Sequence, residues 1–355
     1  MSGLPSRVLV IGSGLIGTSI GLVLRRAGVQ VHLLDRDPAV AEEAERVGGG
    51  VAGRPDIEPD LVVVAVPPGE VAAVASAAMV EWPTATVTDV CSVKAGPERE
   101  LAALGGDMSR WIGGHPMAGR ELSGPGAARV ELFDDRVWVV TPSGTAPRDR
   151  VDLVTSMVRA CGATVVEMSA DEHDRTVALT SHVPQILSSA LAAQLVGADP
   201  DRVRVSGQGL RDMTRIAASD PELWTEIITS NPVPIADTLD RIAADLAVLR
   251  SALEDGRRDE VRRLISQGNH GVESIPGKHG GSSAAYDVVP VLIKDEPGQL
   301  GAVFVAAGAA GFNLEDVRIL HVLGRPSGLV EVSVRAGLGA TLAASLRDRG
   351  FDVRD

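Results

Sequence analysis

Three stretches of the chain carry polar side chains where packing alone would not ask for them, and each suits a step of redox chemistry on a small polar molecule. "TDVCSVK" (88–94) holds Ser92, "GGHPMAGRELSG" (113–124) holds His115, and "GLRDMTRIAASDPELW" (209–224) holds Arg215. A hydride leaves a carbinol carbon only as the hydroxyl proton is taken up or strongly hydrogen-bonded, and a neutral histidine suits that task near physiological pH. Ser92 can hold the imidazole or the hydroxyl in place, and the Arg215 guanidinium offers a planar fork for a carboxylate. By residue type alone the plainer readings stay open: His115 as a turn residue, and Arg215 on a solvated helix face with Asp212 three residues before it.

A hydride needs an acceptor, and "VLVIGSGLIGTSIG" (8–21) supplies the place for one. Gly12, Gly14 and Gly17 stand in the spacing G-x-G-x-x-G after an apolar run and at the opening of a helical pattern. The first glycine permits a tight turn, the second lets the backbone approach a pyrophosphate, and the third lets helix and strand pack closely. Leu15 and Ile16 sit in the first helical turn, whose free N–H groups face the anion. Asp35 ends the next apolar run, where a carboxylate can accept from the ribose hydroxyls and disfavours a 2′-phosphate, so NAD is expected over NADP. Arg36 directly after it works the other way, because a guanidinium can hold that phosphate.

These groups need elements to position them. The first hundred residues alternate Val/Ile-rich runs with Ala-rich helical stretches ("RVLVIG", "LIGTSIGLVLRRAG", "VQVHLLD", "AVAEEAERVG", "DLVVVAVP"), a pattern of βαβ units around a parallel sheet covered on both faces. "ATVTDV", "RVWVVTP" and "ATVVEM" extend that sheet and close it near residue 168, while 113–124 reads as a loop at its carboxyl edge. Residues 169–268 turn to long Ala/Leu-rich helices, "QGNHGVESIPGKHGGSS" reads as a linker over 269–283, and the tail 284–355 has the order βαββαβ. The expected fold class is α/β: a doubly wound sheet over 1–168, an all-helical second domain and a small α+β domain.

A net charge of −13 and the absence of a basic stripe argue against nucleic acid as a partner. No apolar run is long enough to span a membrane and the N-terminus enters a strand directly, so a cytoplasmic location is expected. Cys91 and Cys161 are the two cysteines of the chain and read as small buried residues, not a disulfide. No metal site is expected, since His270 and His279 merely flank linker glycines.

Taken in order, "GSGLIGTSIG", "DVCSVK", "GGHPMAGRELSG", "SHVPQ" and "RDMTRIAASDPELW" resemble the prephenate/arogenate dehydrogenases of tyrosine biosynthesis, over about residues 7 to 268. The tail is similar to an ACT domain, a regulatory amino-acid-binding module, with "DEPGQLG" (295–301) in the place of its ligand turn. The resemblance implies a Rossmann-type NAD domain and oxidation of a cyclohexadienol at its ring carbinol with loss of the ring carboxylate as CO₂. His115 is then the group that deprotonates the ring hydroxyl, Ser92 orients it, and Arg215 pairs with a substrate carboxylate. Glu121 and Asp212 resemble acidic residues that gate the pocket, His182 a substrate-side residue, Arg211 a further cation, and Trp224 an apolar wall. Cys91 replaces the family's usual glycine. Gln185 stands where some prephenate-specific members carry a second histidine, which leans the reading toward arogenate or relaxed specificity. Asp220 is open between recognising an amino group and capping the helix that starts at Pro221. The ACT-like tail also implies feedback by an aromatic amino acid, and a homodimer through the helical domain is expected because its Ala/Leu-rich helices expose more apolar surface than one domain covers.

Two other functions fit the same plan of elements. A hydroxyacid or imine reductase would use a lysine in the helical domain, and this chain has none between Lys94 and Lys278. A non-catalytic nucleotide and amino-acid sensor would have no use for Ser92, His115 and Arg215 together.

Overall fold

The computed structural model describes residues 3–119, 123–275, 286–321 and 327–354, and the chain divides into two compact units, Met1–Ile242 and Ala243–Asp355. The first is built on strands β1 (Arg7–Ile11), β2 (Gln30–Leu34), β3 (Val51–Ala52), β4 (Leu61–Val64), β5 (Thr86–Asp89), β6 (Trp111–Pro116), β7 (Val137–Pro142) and β8 (Thr164–Glu167). They form one eight-stranded sheet in the order β3-β2-β1-β4-β5-β6-β7-β8. The strands from β1 to β6 pair in parallel, and the direction reverses at β7, which runs antiparallel to β6.

Helices α1 (Leu15–Arg26), α2 (Pro38–Arg46), α3 (Pro68–Glu81), α4 (Ala95–Ala103) and α5 (Arg148–Ala160) cover the two faces. Alternate strand residues point to opposite sides. Val8, Val10, Leu33 and Val63 therefore pack with Ile20 and Leu24 of α1 and Val154 of α5. Leu9, Val62, Val64 and Val87 pack with Val71, Ala75 and Met79 of α3 and Leu101 of α4. Burial on both faces is why β4 reads as an unbroken apolar run without alternation. The strand order reverses between β1 and β4, and the crevice at the carboxyl ends there is where such sheets take ligands.

A correction concerns 113–124, expected as a loop. Its first four residues are the end of β6, with His115 paired to Val139 of β7. Glycines weaken strands in isolation, yet two are needed here: a Cβ on Gly113 would fall on the Thr141 hydroxyl, and one on Gly114 on the Asp89 carbonyl. The loop begins only at Met117. The short strand β3 was not expected either.

The remainder of this unit is helical: α6 (Ala170–Val177), a π-helical turn (Ala178–His182), α7 (Val183–Ala193), α8 (Pro200–Val203), α9 (Gln208–Thr214), a 3₁₀ turn (Arg215–Ala218), α10 (Pro221–Ser230) and α11 (Pro232–Glu254), which crosses into the second unit. Ala178, Val183 and Ile235 form the buried centre of this small core.

In the second unit α12 (Arg258–Glu273) runs on through the first residues of the expected linker, 269–273. The glycines at 268 and 271 do not stop it, because a Cβ-less residue inside a helix costs only about 1 kcal/mol and breaks no hydrogen bond. The rest of the expected linker lies mostly outside the described residues. Strands β9 (Tyr286–Lys294), β10 (Asp316–His321), β11 (Ser327–Arg335) and β12 (Asp352–Val353) alternate with α13 (Gln299–Ala309) and α14 (Gly339–Asp348) in the expected βαββαβ sequence. They form an antiparallel sheet in the order β10-β11-β9-β12. Val291, Val330, Val332, Val303 and Leu342 make its core. No helix of the described residues is long and apolar enough to cross a membrane.

Candidate active site

At the end of β1 the chain turns through Gly12, whose φ of +99° is open to glycine and whose missing Cβ would meet the Ala65 backbone. Gly17 is equally constrained, since a Cβ there would strike the carbonyl of Gly12. Gly14 is different: it caps α1 with no side chain, and a Cβ added to it would enter open space. That opening lies over the first-turn N–H groups of Leu15 and Ile16, which have no acceptor within the helix. The two side chains meanwhile pack against the sheet core. The half-buried Asp35 accepts the backbone N–H of Ser13 at 2.8 Å and of Asp37 at 3.1 Å, which fixes its carboxylate beside this turn. Arg36 is exposed and pairs with Glu70 at 3.2 Å. Backbone room, free N–H donors and a fixed acid fit a dinucleotide's pyrophosphate and ribose.

The loop after β5 is tied to the end of β6 by a buried ion pair. Lys94 Nζ donates to the Asp89 carboxylate, and also to the Gly114 carbonyl at 2.7 Å, while Asp89 accepts the Gly114 N–H at 3.1 Å and the Cys91 N–H at 3.0 Å. Burial works to discharge the ammonium, but the Asp89 charge and its hydrogen bond outweigh it and hold the Lys94 pKa above its ordinary value. The Cys91 thiol donates to the Val93 carbonyl at 2.8 Å, and burial together with Asp89 pushes its pKa up, so it stays protonated. In the middle of this locked loop Ser92 is half-buried, and its hydroxyl has no hydrogen bond to any described residue.

His115 follows Gly114 directly and is buried. Its Nδ1 lies 2.8 Å from Nε2 of His173, on α6, and His173 Nδ1 lies 2.8 Å from the Asp174 carboxylate. Asp174 also accepts the N–H of Lys94 at 2.8 Å and of Ala95 at 2.9 Å, and so caps α4 from another element. Burial foremost, with the neighbouring His173, Lys94 and His182, holds the His115 pKa well below its ordinary value. Burial likewise lowers His173 despite the adjoining carboxylate. The π-helical turn widens the backbone so that His182 points inward, a use such turns often serve at functional sites. Asn231, in the junction between α10 and α11, donates to the Asp174 carbonyl at 2.8 Å and lies 3.2 Å from His182 Nδ1. The Trp224 ring meets the His182 ring edge-on at 6.4 Å. Burial takes the His182 pKa down to about 4.

Of the residues singled out by sequence, the fold thus brings His115 and the Ser92 loop into one network, and His182 against Trp224. Arg211, Asp212 and Arg215 are exposed on α9 and the turn after it, and no hydrogen bond or ion pair links them to His115. Arg215 has no ion-pair partner among the described residues. Asp212 is held not by Arg215 but by Gln208, at 2.8 Å. Asp220 caps α10, accepting the N–H groups of Glu222 and Leu223. Glu121 lies outside the described residues. Five residues were missed: Asp89, Lys94, His173, Asp174 and their support Asn231. Nothing in "ADEHDRTV" was singled out, yet His173, Asp174 and Val177 share one buried face; the His-to-Val spacing of four was the available signal.

This architecture has known counterparts. A family model described as the prephenate dehydrogenase nucleotide-binding domain matches residues 20–167, and one described as the prephenate dehydrogenase dimerization domain matches residues 169–267. The chain is 36% identical over 352 residues, 96% of its own length and 97% of the relative's, to a probable prephenate dehydrogenase, NovF, of Streptomyces niveus. Its structure is similar to that of Synechocystis arogenate dehydrogenase (TM-score 0.66, 28% identity, covering 74% of this chain and 98% of the other). It is also similar to prephenate dehydrogenase from A. aeolicus in complex with hydroxyphenyl propionate and NAD⁺ (TM-score 0.67, 27% identity, covering 76% and 98%). With near-complete coverage in sequence and both domain models matched in order, the chain belongs to the prephenate dehydrogenase family.

Proposed function

We propose that the chain catalyses the oxidative decarboxylation of prephenate to 4-hydroxyphenylpyruvate, of arogenate to tyrosine, or of both. It is an NAD-dependent oxidoreductase, and NAD, when bound, supplies the hydride acceptor. The observation that carries the reading is His115: a buried imidazole kept neutral, hydrogen-bonded on one ring nitrogen and with no described partner on the other. In that state it is a base ready for a hydroxyl proton. The Ser92 hydroxyl, without a hydrogen-bond partner among the described residues, orients the substrate hydroxyl, and the Arg215 guanidinium, without an ion-pair partner among them, takes a substrate carboxylate. Arg211, Asp212, Glu121, His182 and Trp224 are assigned to the surrounding pocket. Loss of CO₂ makes an aromatic ring and drives the reaction forward.

The wider assignment follows the same reading: a cytoplasmic enzyme with an NAD domain over 1–168, a helical substrate and dimerisation domain over 169–268, and an ACT-like effector domain over 284–355. Exposed Val233, Leu246 and Leu253 on α11 support a homodimer. The βαββαβ tail, with Gly298 at φ +89° opening α13, supports an amino-acid effector site there.

The test is NADH formation by the full chain with prephenate and, separately, with arogenate. Turnover of at least one is expected, His115→Asn should lower kcat by about 10²–10⁴ with little change in KM, and tyrosine should inhibit the full chain. Failure with both substrates rejects the activity; normal turnover by His115→Asn rejects the base.

A further inference from the structure

The hydrogen bonds behind His115 determine which of its nitrogens is basic. Asp174 is met by three N–H donors, from Lys94, Ala95 and His173. Although burial opposes ionisation, these bonds outweigh it and hold the Asp174 pKa low, so it is a carboxylate that only accepts. The hydrogen between it and His173 therefore resides on His173 Nδ1. A neutral imidazole with a hydrogen on Nδ1 has only a lone pair on Nε2. The 2.8 Å contact from that Nε2 to His115 Nδ1 then requires His115 to be the donor. His115 is left with its lone pair on Nε2, the nitrogen outside the chain of bonds.

Resting on the reading of His115 as the base, we propose that His173 and Asp174 are positioning residues that fix His115 as its Nδ1–H tautomer, so that Nε2 is the proton-accepting atom. As the substrate O–H bond breaks, an N–H bond forms at His115 Nε2 and the ring becomes an imidazolium. Its Nδ1–H still points at the His173 lone pair, so the proton can shift to His173 and set the positive charge against the Asp174 carboxylate. The acid thus acts through two imidazoles instead of one. The charged and titratable groups facing the pair are consistent with this direction. Lys94 and His182 disfavour charge on His115; Lys94 disfavours it on His173 as well, where the Asp174 hydrogen bond and the charges of Asp174 and Asp89 favour it. Lys94 is itself neutralised by Asp89.

The experiment is ¹⁵N NMR of the histidine-labelled full chain, joined to kinetics of variants with saturating NAD⁺. The expected wild-type signature is a protonated Nδ1 and an unprotonated Nε2 on His115, assigned by its loss in His115→Asn. His173→Leu and Asp174→Asn should lower kcat by about 10²-fold while KM changes less than about twofold, shift the acid limb of the kcat profile, and abolish the single-tautomer signature. His173→Gln, whose amide oxygen can accept from His115, should restore part of kcat. A wild-type spectrum with the hydrogen on His115 Nε2 overturns the proposal without any change at His173 or Asp174, even if His173→Leu does not fold. Wild-type kcat and pH profile in folded His173→Leu and Asp174→Asn also overturn it, while leaving an inactive His115→Asn to uphold the base. Full turnover by His115→Asn removes the base reading instead, which the tautomer spectrum does not depend on.

Discussion

Lys94 and Asp89 form an ion pair whose side chains are 1% and 0% exposed, and the Gly114 peptide is bonded to both of its partners. Two charges withdrawn from water this far are stable only as a pair, because each alone carries a desolvation cost of several kcal/mol. The pair is also the clamp that sets the end of β6, and hence the backbone of His115, against the Ser92 loop.

Lys94→Met should therefore destabilise the fold by about 3–5 kcal/mol, since it strands a buried carboxylate. Denaturant unfolding measures this. The double change Lys94→Met with Asp89→Leu should recover part of the loss, whereas its kcat should stay low, because the Gly114 carbonyl loses its partner in both variants and the Gly114 N–H loses its own in the double one. A single change costing less than about 1 kcal/mol would mean that the pair is solvated in solution.

The glycines at the nucleotide turn separate folding from binding. Gly12→Ala forces a side chain into φ +99° and onto the Ala65 backbone. A loss of about 1–3 kcal/mol from backbone strain alone is expected, along with weak nucleotide binding. Gly14→Ala meets nothing within 4 Å and keeps an ordinary φ of −73°. Its thermal midpoint should match the parent, yet the methyl group occupies the space through which a pyrophosphate approaches. The KM for NAD⁺ should rise about tenfold, on the order of 1.4 kcal/mol. An unchanged KM would place the phosphates elsewhere.

Much of this was legible in the residues and some was not, for reasons that differ by element. β1, β2 and β4 are apolar runs between glycine turns, and the alternation with helices leaves one architecture for them. β6 was hidden because Gly113, Gly114 and Pro116 each count against a strand. Only the neighbours that a Cβ would strike explain them, and those neighbours come from β5 and β7. Ser92 and His115 were found because their types are rare in apolar surroundings. His173 and Asp174 were not, because "DEHD" looks like any solvated helix start until α6 is seen to press one face onto α4. Lys94 was in view within "DVCSVK", but nothing in the order of residues tells a buried lysine from an exposed one. The partner of Asp212 was left open by the sequence: a carboxylate on a helix has neighbours on both sides, and Gln208 takes it instead of Arg215.

Asn231 holds α6 and the π-helical turn together, because its amide donates to the Asp174 carbonyl while facing His182 Nδ1. Asn231→Ala leaves the buried His182 Nδ1 unpaired and takes one of two donors from the Asp174 carbonyl, which keeps the Ala178 N–H, and should cost about 1–3 kcal/mol. Asn231→Asp should cost more than Ala, because it sets an anion against the carbonyl that the amide used to satisfy. Equal midpoints for the two variants in calorimetry would show that the junction tolerates the charge.

Acid stability should be governed by the buried histidines His115, His173 and His182. Each has a folded pKa below the ordinary 6.5, and that of His182 falls to about 4. Below pH 6.5 the unfolded chain takes up protons that the folded chain refuses. Unfolding free energy must then fall as pH falls, by at most about 1.4 kcal/mol per pH unit for each histidine. For His182 the loss begins near pH 6.5 and is complete below about 4. Asp174 acts at still lower pH: its folded pKa is depressed, so its contribution is present above the ordinary carboxylate range and is lost as pH falls through the folded value. The thermal midpoint should accordingly be flat above pH 7.5 and drop steadily from 6.5 to 4, with a shallower slope in His182→Gln. The acid limb of kcat/KM should lie below 6.5 for the same reason, because a base kept neutral by burial stays competent after an exposed histidine has been protonated. A midpoint unchanged between pH 7 and 5 would mean that the histidines admit water and titrate alike in both states.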